Sequence, residues 1–189
     1  MAKTLFELDR YTIRRKVLKV FGGAFHIYDG DRVVAYSKQK AFKLKEDIRV
    51  YADETAAQEI LLVRARQVVD FAAAYDMVDP TDNTVVGTAR RKGLRSMMRD
   101  SWELMDADGK AVGQLQEDSM GKAMMRRFLS NLIPQTFHLD GAGGRIEMKQ
   151  HFNPFIYRLT VSIGKTSELD RRLVAGLAVL VAAIEGRQQ

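Results

Sequence analysis

The chain has 189 residues and three scattered prolines, with no linker-like or low-complexity stretch, so a single domain spanning residues 1–189 is expected. Hydrophobic residues make up 46% and charged residues 29%, the balance of a globular protein, which excludes a disordered or fibrous chain. The absence of cysteine excludes disulfides, thiolate nucleophiles and thiolate metal sites, while a formal charge of +6 leaves room for an anionic partner: nucleic acid, lipid headgroup or acidic protein. From the N-terminus, Met1 to Arg10 mixes charged and apolar residues and lacks the apolar core of an export signal, so the expected compartment is the cytoplasm.

Tyr11 to Val17 is the first strand candidate, and a hairpin unit then recurs four times, each with an aromatic-led strand, an Asp-rich turn and a second strand. Phe25 to Tyr28 leads through Asp29-Gly30-Asp31 into Arg32 to Tyr36. Tyr75 to Val78 leads through Asp79 to Asn83 into Thr84 to Gly87, and Trp102 to Met105 leads through Asp106 to Gly109 into Lys110 to Leu115. Thr136 to Leu139 leads through Asp140 to Gly144 into Arg145 to Met148. Asp, Asn and Gly close such hairpins because they tolerate positive φ and hydrogen-bond their own turn backbone. The flanking apolar and polar alternation gives each hairpin one buried face. Ile48 to Tyr51, Glu59 to Val69 and Phe155 to Ile163 are further strands. A sheet of this size curls or closes, because an open edge invites pairing with another chain.

Glu117 to Leu132 reads as a helix weakened by Gly121 and ended by Pro134, with a strand pair as the alternative. The C-terminal helix is clearer, with Ser167 as N-cap, Asp170 three residues on, and Gly186 at its end. Leu173 to Ile184 is apolar on every face and must be surrounded by protein or lipid. At about 1.5 Å per residue it spans roughly 18 Å, whereas a bilayer core of about 30 Å asks for about 20 residues. Charged residues flank it on both sides, so burial within the protein is expected and a transmembrane segment is not.

The candidate anion site is Arg90, Arg91, Lys92, Arg95 and Arg99, where guanidinium groups fit phosphate oxygens and Gly93 and Ser96 add donors. Solvated strand ends are the plainer explanation of the same cluster. Lys38, Lys40, Lys43 and Lys45 can present one basic face of a strand, with a lysine-protected edge strand as the plainer reading, and Arg14, Arg15, Lys16 and Lys19 invite the same judgement. Asp106-Ala107-Asp108-Gly109 resembles the opening of a calcium loop, yet Lys110 to Gln116 reads as strand, so a turn is expected. His26, His138 and His151 are dispersed, and no metal, cofactor or catalytic constellation is expected. A phosphoryl-processing enzyme would have to use Asp100 or Glu103 beside the basic cluster. Trp102 and the other aromatics lead strands, which assigns them to the core and ranks nucleic acid behind lipid and protein as a partner.

Several stretches together resemble the LURP-one-related branch of the tubby C-terminal-like superfamily. They are Tyr11 to Lys16, Phe42 to Asp47, Ala73 to Asp79, Arg90 to Ser96, Asp100 to Leu104 and the final helix. The resemblance implies a β-rich fold: a closed antiparallel β-barrel of about 12 strands around a hydrophobic C-terminal helix at about residues 168–185. It also implies relatives that bind phosphoinositides (tubby proteins) or associate with phospholipid membranes (scramblases), although no phosphoinositide-contacting motif matches residue by residue. The expectation is a non-enzymatic module at an anionic phospholipid or membrane surface, with a protein-interaction or structural module as the alternative.

Overall fold

The alternating segments pair into antiparallel hairpins whose turns are closed by their own aspartates. The computed structural model describes residues 3–15, 24–38, 47–66, 73–91, 101–117, 135–141, 143–153 and 156–185. The strands are β1 (Arg10–Arg15), β2 (Ala24–Asp29), β3 (Arg32–Lys38), β4 (Ile48–Tyr51), β5 (Glu59–Ala65) and β6 (Ala74–Asp79). They continue as β7 (Thr84–Arg91), β8 (Ser101–Asp106), β9 (Ala111–Glu117), β10 (Thr136–Gly141), β11 (Gly144–Gln150) and β12 (Arg158–Ile163), and helix α1 (Arg171–Glu185) follows. Every strand pairs antiparallel with its sequence neighbours, and β1 pairs with β12, so the twelve strands form a closed barrel. Closure leaves no sheet edge to protect.

All four hairpins form. In the β8–β9 turn, Asp106 Oδ1 accepts the N–H groups of Asp108 at 3.1 Å and Lys110 at 2.9 Å, and Gly109 supplies a φ of 80°. That carboxylate therefore closes a turn, as its hairpin context implies. Asp79 and Asp82 do the same for the N–H groups of Thr81 and Thr84, each at 2.9 Å.

Alternate residues of each strand enter the core: Tyr11 and Ile13, Phe25 and Ile27, Leu61 and Val63, Leu139, Leu159 and Val161 are buried. Helix α1 joins the same core, with every residue from Leu173 to Ala183 buried. Two glycines let it come close. A Cβ on Gly176 would lie 2.7 Å from Met77 Cγ, and one on Gly87 would lie 2.6 Å from the Met105 carbonyl and 3.0 Å from a Leu173 methyl. No helix among the described residues is long and apolar enough to cross a membrane.

Several boundaries move. β12 starts at Arg158 rather than Phe155, and β5 ends at Ala65. Glu117 closes β9 instead of opening a helix, and the rest of that predicted helix lies outside the described residues. The helix cap also shifts, from Ser167 to Asp170, whose Oδ1 accepts the Arg172 N–H at 2.8 Å while its carbonyl accepts the Val174 N–H. Ser167 instead turns the chain, its N–H donating to the Gly164 carbonyl at 3.0 Å. Two arginines lock the helix start: Arg171 pairs with Asp9 at 2.9 Å, and Arg172 bridges Asp170 at 2.7 Å and Asp79 at 2.8 Å.

Candidate functional site

Antiparallel order brings residues distant in sequence to the same rim of the barrel. The aspartate turns all lie at one rim, placing Asp29, Asp31, Asp53, Asp82, Asp108 and Asp140 there. At the opposite rim β1, β3 and β7 end in Arg15, Lys38 and Arg91, and β12 begins at Arg158. The Arg14–Arg15, Lys38 and Arg90–Arg91 groups, separated in sequence, thus share one rim. Lys38 is no edge-strand lysine, because β3 is paired on both sides, with Ala24 and Arg49 opposite it.

Within the predicted anion cluster, Arg90 and Arg91 occupy the end of β7, while Lys92, Arg95 and Arg99 lie outside the described residues. Arg90 stands opposite Glu103 and pairs with it at 2.5 Å. Glu103, an acid/base candidate from the sequence, is thereby held in a salt bridge; Asp100 lies outside the described residues. Arg91 stands opposite the buried Trp102, and its backbone N–H donates to the Ala73 carbonyl at 2.9 Å. Arg66 follows the same habit: it pairs with the buried Asp76 at 2.7 Å, and Asp76 also accepts the Thr88 hydroxyl at 2.8 Å. Such pairs fix side chains while leaving each exposed guanidinium edge open to solvent.

The histidines fall in different settings. His26 is buried on the outer wall, hydrogen-bonded to Glu54 and packed 5.2 Å from the Tyr36 ring centroid. His151 bonds the Thr160 hydroxyl at 2.8 Å, and burial together with Arg158, Lys149 and Arg10 pushes its imidazole below the ordinary value. Arg158 and Lys149 carry no motif in the sequence; strand pairing sets Arg158 opposite Arg14 and Lys149 opposite Thr160. Phe152 follows β11 at the same basic rim and is 63% exposed.

The family model described as LURP-one-related matches residues 33–182, from β3 through nearly all of α1. The chain belongs to the LURP-one-related family. No curated protein matched it, and no solved structure did. Arg90, Arg91, Phe152 and Arg158 lie within the LURP-one-related segment, whereas Arg14 and Arg15 precede it.

Proposed function

We propose that this LURP-one-related barrel is a non-enzymatic, cytoplasmic module that docks peripherally on anionic phospholipid headgroups through its basic rim. The observation that carries the reading is the gathering of Arg14, Arg15, Lys38, Arg90, Arg91 and Arg158 toward one rim, while the aspartate turns, with Arg32 and Arg145 paired to their own aspartates, lie at the other. A molecule polarised in this way orients at a negative surface, where each nearby Lys or Arg contributes about 1 kcal/mol. The exposed Phe152 at that rim adds an apolar side chain that can enter the headgroup region. Resemblance to the tubby C-terminal-like superfamily, with its phosphoinositide-binding and scramblase members, supports the same ligand class. Outward-facing Thr12, Arg14, Thr88, Arg90, Glu103 and Thr160 suit a barrel bathed in water rather than one facing lipid.

Helix α1 fits this reading as the filling of the barrel. About eight strands enclose a space that side chains alone can fill, so twelve leave room for more, and a helix about 10–12 Å across suits it. With the interior occupied, ligands bind outside or at the rim.

Sedimentation with phosphatidylcholine vesicles, with and without phosphatidylserine or phosphoinositide, tests the proposal. Binding to the anionic vesicles alone, weakening with salt, is expected; equal failure to bind both kinds refutes it. A protein-interaction module is the second reading. The two large exposed apolar side chains among the described residues, Val33 and Phe152, lie at opposite rims rather than in one patch, which favours the lipid reading.

A further inference from the structure

The outer wall where β12, β1 and β2 meet holds an arrangement that the fold itself does not require. Arg158, Arg14 and His26 stand side by side in register, so two arginines occupy directly opposite positions on β12 and β1. Like charges directly opposite destabilise a sheet. Arg14 lies over Tyr28 of β2, its guanidinium carbon 4.4 Å from the ring centroid. The Nε atoms of both Arg14 and Arg158 are buried and meet no hydrogen-bond acceptor among the described residues. A buried charged donor without an acceptor is costly, and here two occur on facing residues.

The surroundings are donors and hydroxyls. Thr12 and Thr160, the next outward pair on the same two strands, share a hydrogen bond at 3.1 Å, and Thr160 also bonds His151. Lys149 faces Thr160 from β11. The acidic neighbours are engaged or displaced: Glu54 bonds His26, and Glu147 stands opposite Ser162 and His138, a further outward row away from Arg14. His151 is lowered first by burial and then by Arg158, Lys149 and Arg10.

The geometry points to a phosphate-binding site on this wall, in which Arg14 and Arg158 share one oxyanion beside the Thr12–Thr160 hydroxyls and Lys149. A phosphate between the two opposed positions supplies acceptors to both Nε–H groups and balances two like charges. Both arginines are partly exposed, so side-chain rotation alone admits the ligand. The site lies across the barrel from Arg90 and Arg91 and does not rest on the membrane reading. Its ligand is a phosphate group, either of a small phosphorylated molecule or of a lipid headgroup.

Arginine Nε–Hε resonances of the full chain, titrated with inorganic phosphate at constant ionic strength, test the site. Saturable shifts of two such signals are expected, with R14Q or R158Q weakening the response by about tenfold or more and R64Q, on β5 and bonded to Asn83, leaving it intact. In phosphate-free buffer R14Q and R158Q should melt close to the parent temperature, because each removes a buried Nε–H that has no acceptor, and only the parent should gain stability on adding phosphate. A parent chain whose Nε signals do not saturate, or a phosphate response unchanged in both variants, overturns the assignment. Phosphatidylcholine vesicles containing phosphatidic acid separate the sources: shifts with vesicles and free phosphate assign a headgroup, and shifts with free phosphate alone assign a soluble ligand. Failure of vesicle sedimentation leaves this test untouched.

Discussion

Leu177 lies in the middle of α1 with no exposed surface, and its helix neighbours from Leu173 to Ala183 are buried as well. Leu177→Ala deletes a buried isobutyl group and leaves a cavity, at a cost of about 2–5 kcal/mol. For a chain of this size each kcal/mol moves the melting temperature by about 2–4 °C, so a fall of roughly 4–20 °C is expected. Leu177→Asp goes further, because an isolated carboxylate has no partner in that core and must be buried neutral or not at all. Against a total stability of about 5–15 kcal/mol, that substitution should abolish soluble folding. Val33→Ala, at a side chain 40% exposed, is the control and should stay within about 0.5 kcal/mol of the parent. Circular dichroism melts of the three purified variants, with soluble yield on expression, provide the measurement. An L177D chain that is soluble and melts with the parent would show that α1 is not packed in the core.

At the start of the helix, Arg172→Ala removes the bridge to Asp170 and Asp79; these pairs are partly solvent-screened, so about 1 kcal/mol or less and a few degrees of melting temperature are expected in the same melts. Asp79 is held below the usual carboxylate range by the Thr81 N–H and hydroxyl, with Arg172 adding to the effect. Its folded-state value is depressed, so its contribution is present above the unfolded value and is lost as pH falls below about 4. Asp79→Asn should flatten the acid limb of a stability-versus-pH curve, and an unchanged limb would contradict the pairing. The depressed His151 imidazole acts in the same sense at higher pH: the unfolded chain binds the proton more readily, so stability should decline as pH falls through about 6.5, and His151→Gln should remove that slope in denaturant titrations. For membrane docking, the double variant Arg90→Gln, Arg91→Gln should lose about 2 kcal/mol of vesicle affinity, and Phe152→Ala should weaken sedimentation while leaving the melting temperature unchanged.

Much of the site was beyond sequence reading for a geometric reason. Arg14 and Arg158 come from the first and last strands, and nothing in their local sequence differs from an ordinary solvated strand end. Their confrontation exists only because the barrel closes between β1 and β12. Lys38 was misjudged as an edge residue for the same reason, since pairing on both sides of β3 is a property of the closed sheet. The Ser167 cap was a local error: Ser167 and Asp170 both suit an N-cap, and the ion pairs of Arg171 and Arg172 with Asp9 and Asp79 decide where the helix begins.

By itself the sequence determined the local elements of this protein. Asp, Asn and Gly at regular spacing select turns through their backbone preferences, alternation selects strands with one buried face, and an apolar run too short for a bilayer selects a buried helix. Those preferences act over a few residues and need no partner. The tertiary structure decided which cations share a rim, that Arg90 is tied to Glu103, and that Arg14 meets Arg158. Charge is long-ranged and indifferent to sequence distance, so its pattern becomes legible only once the strands have a register.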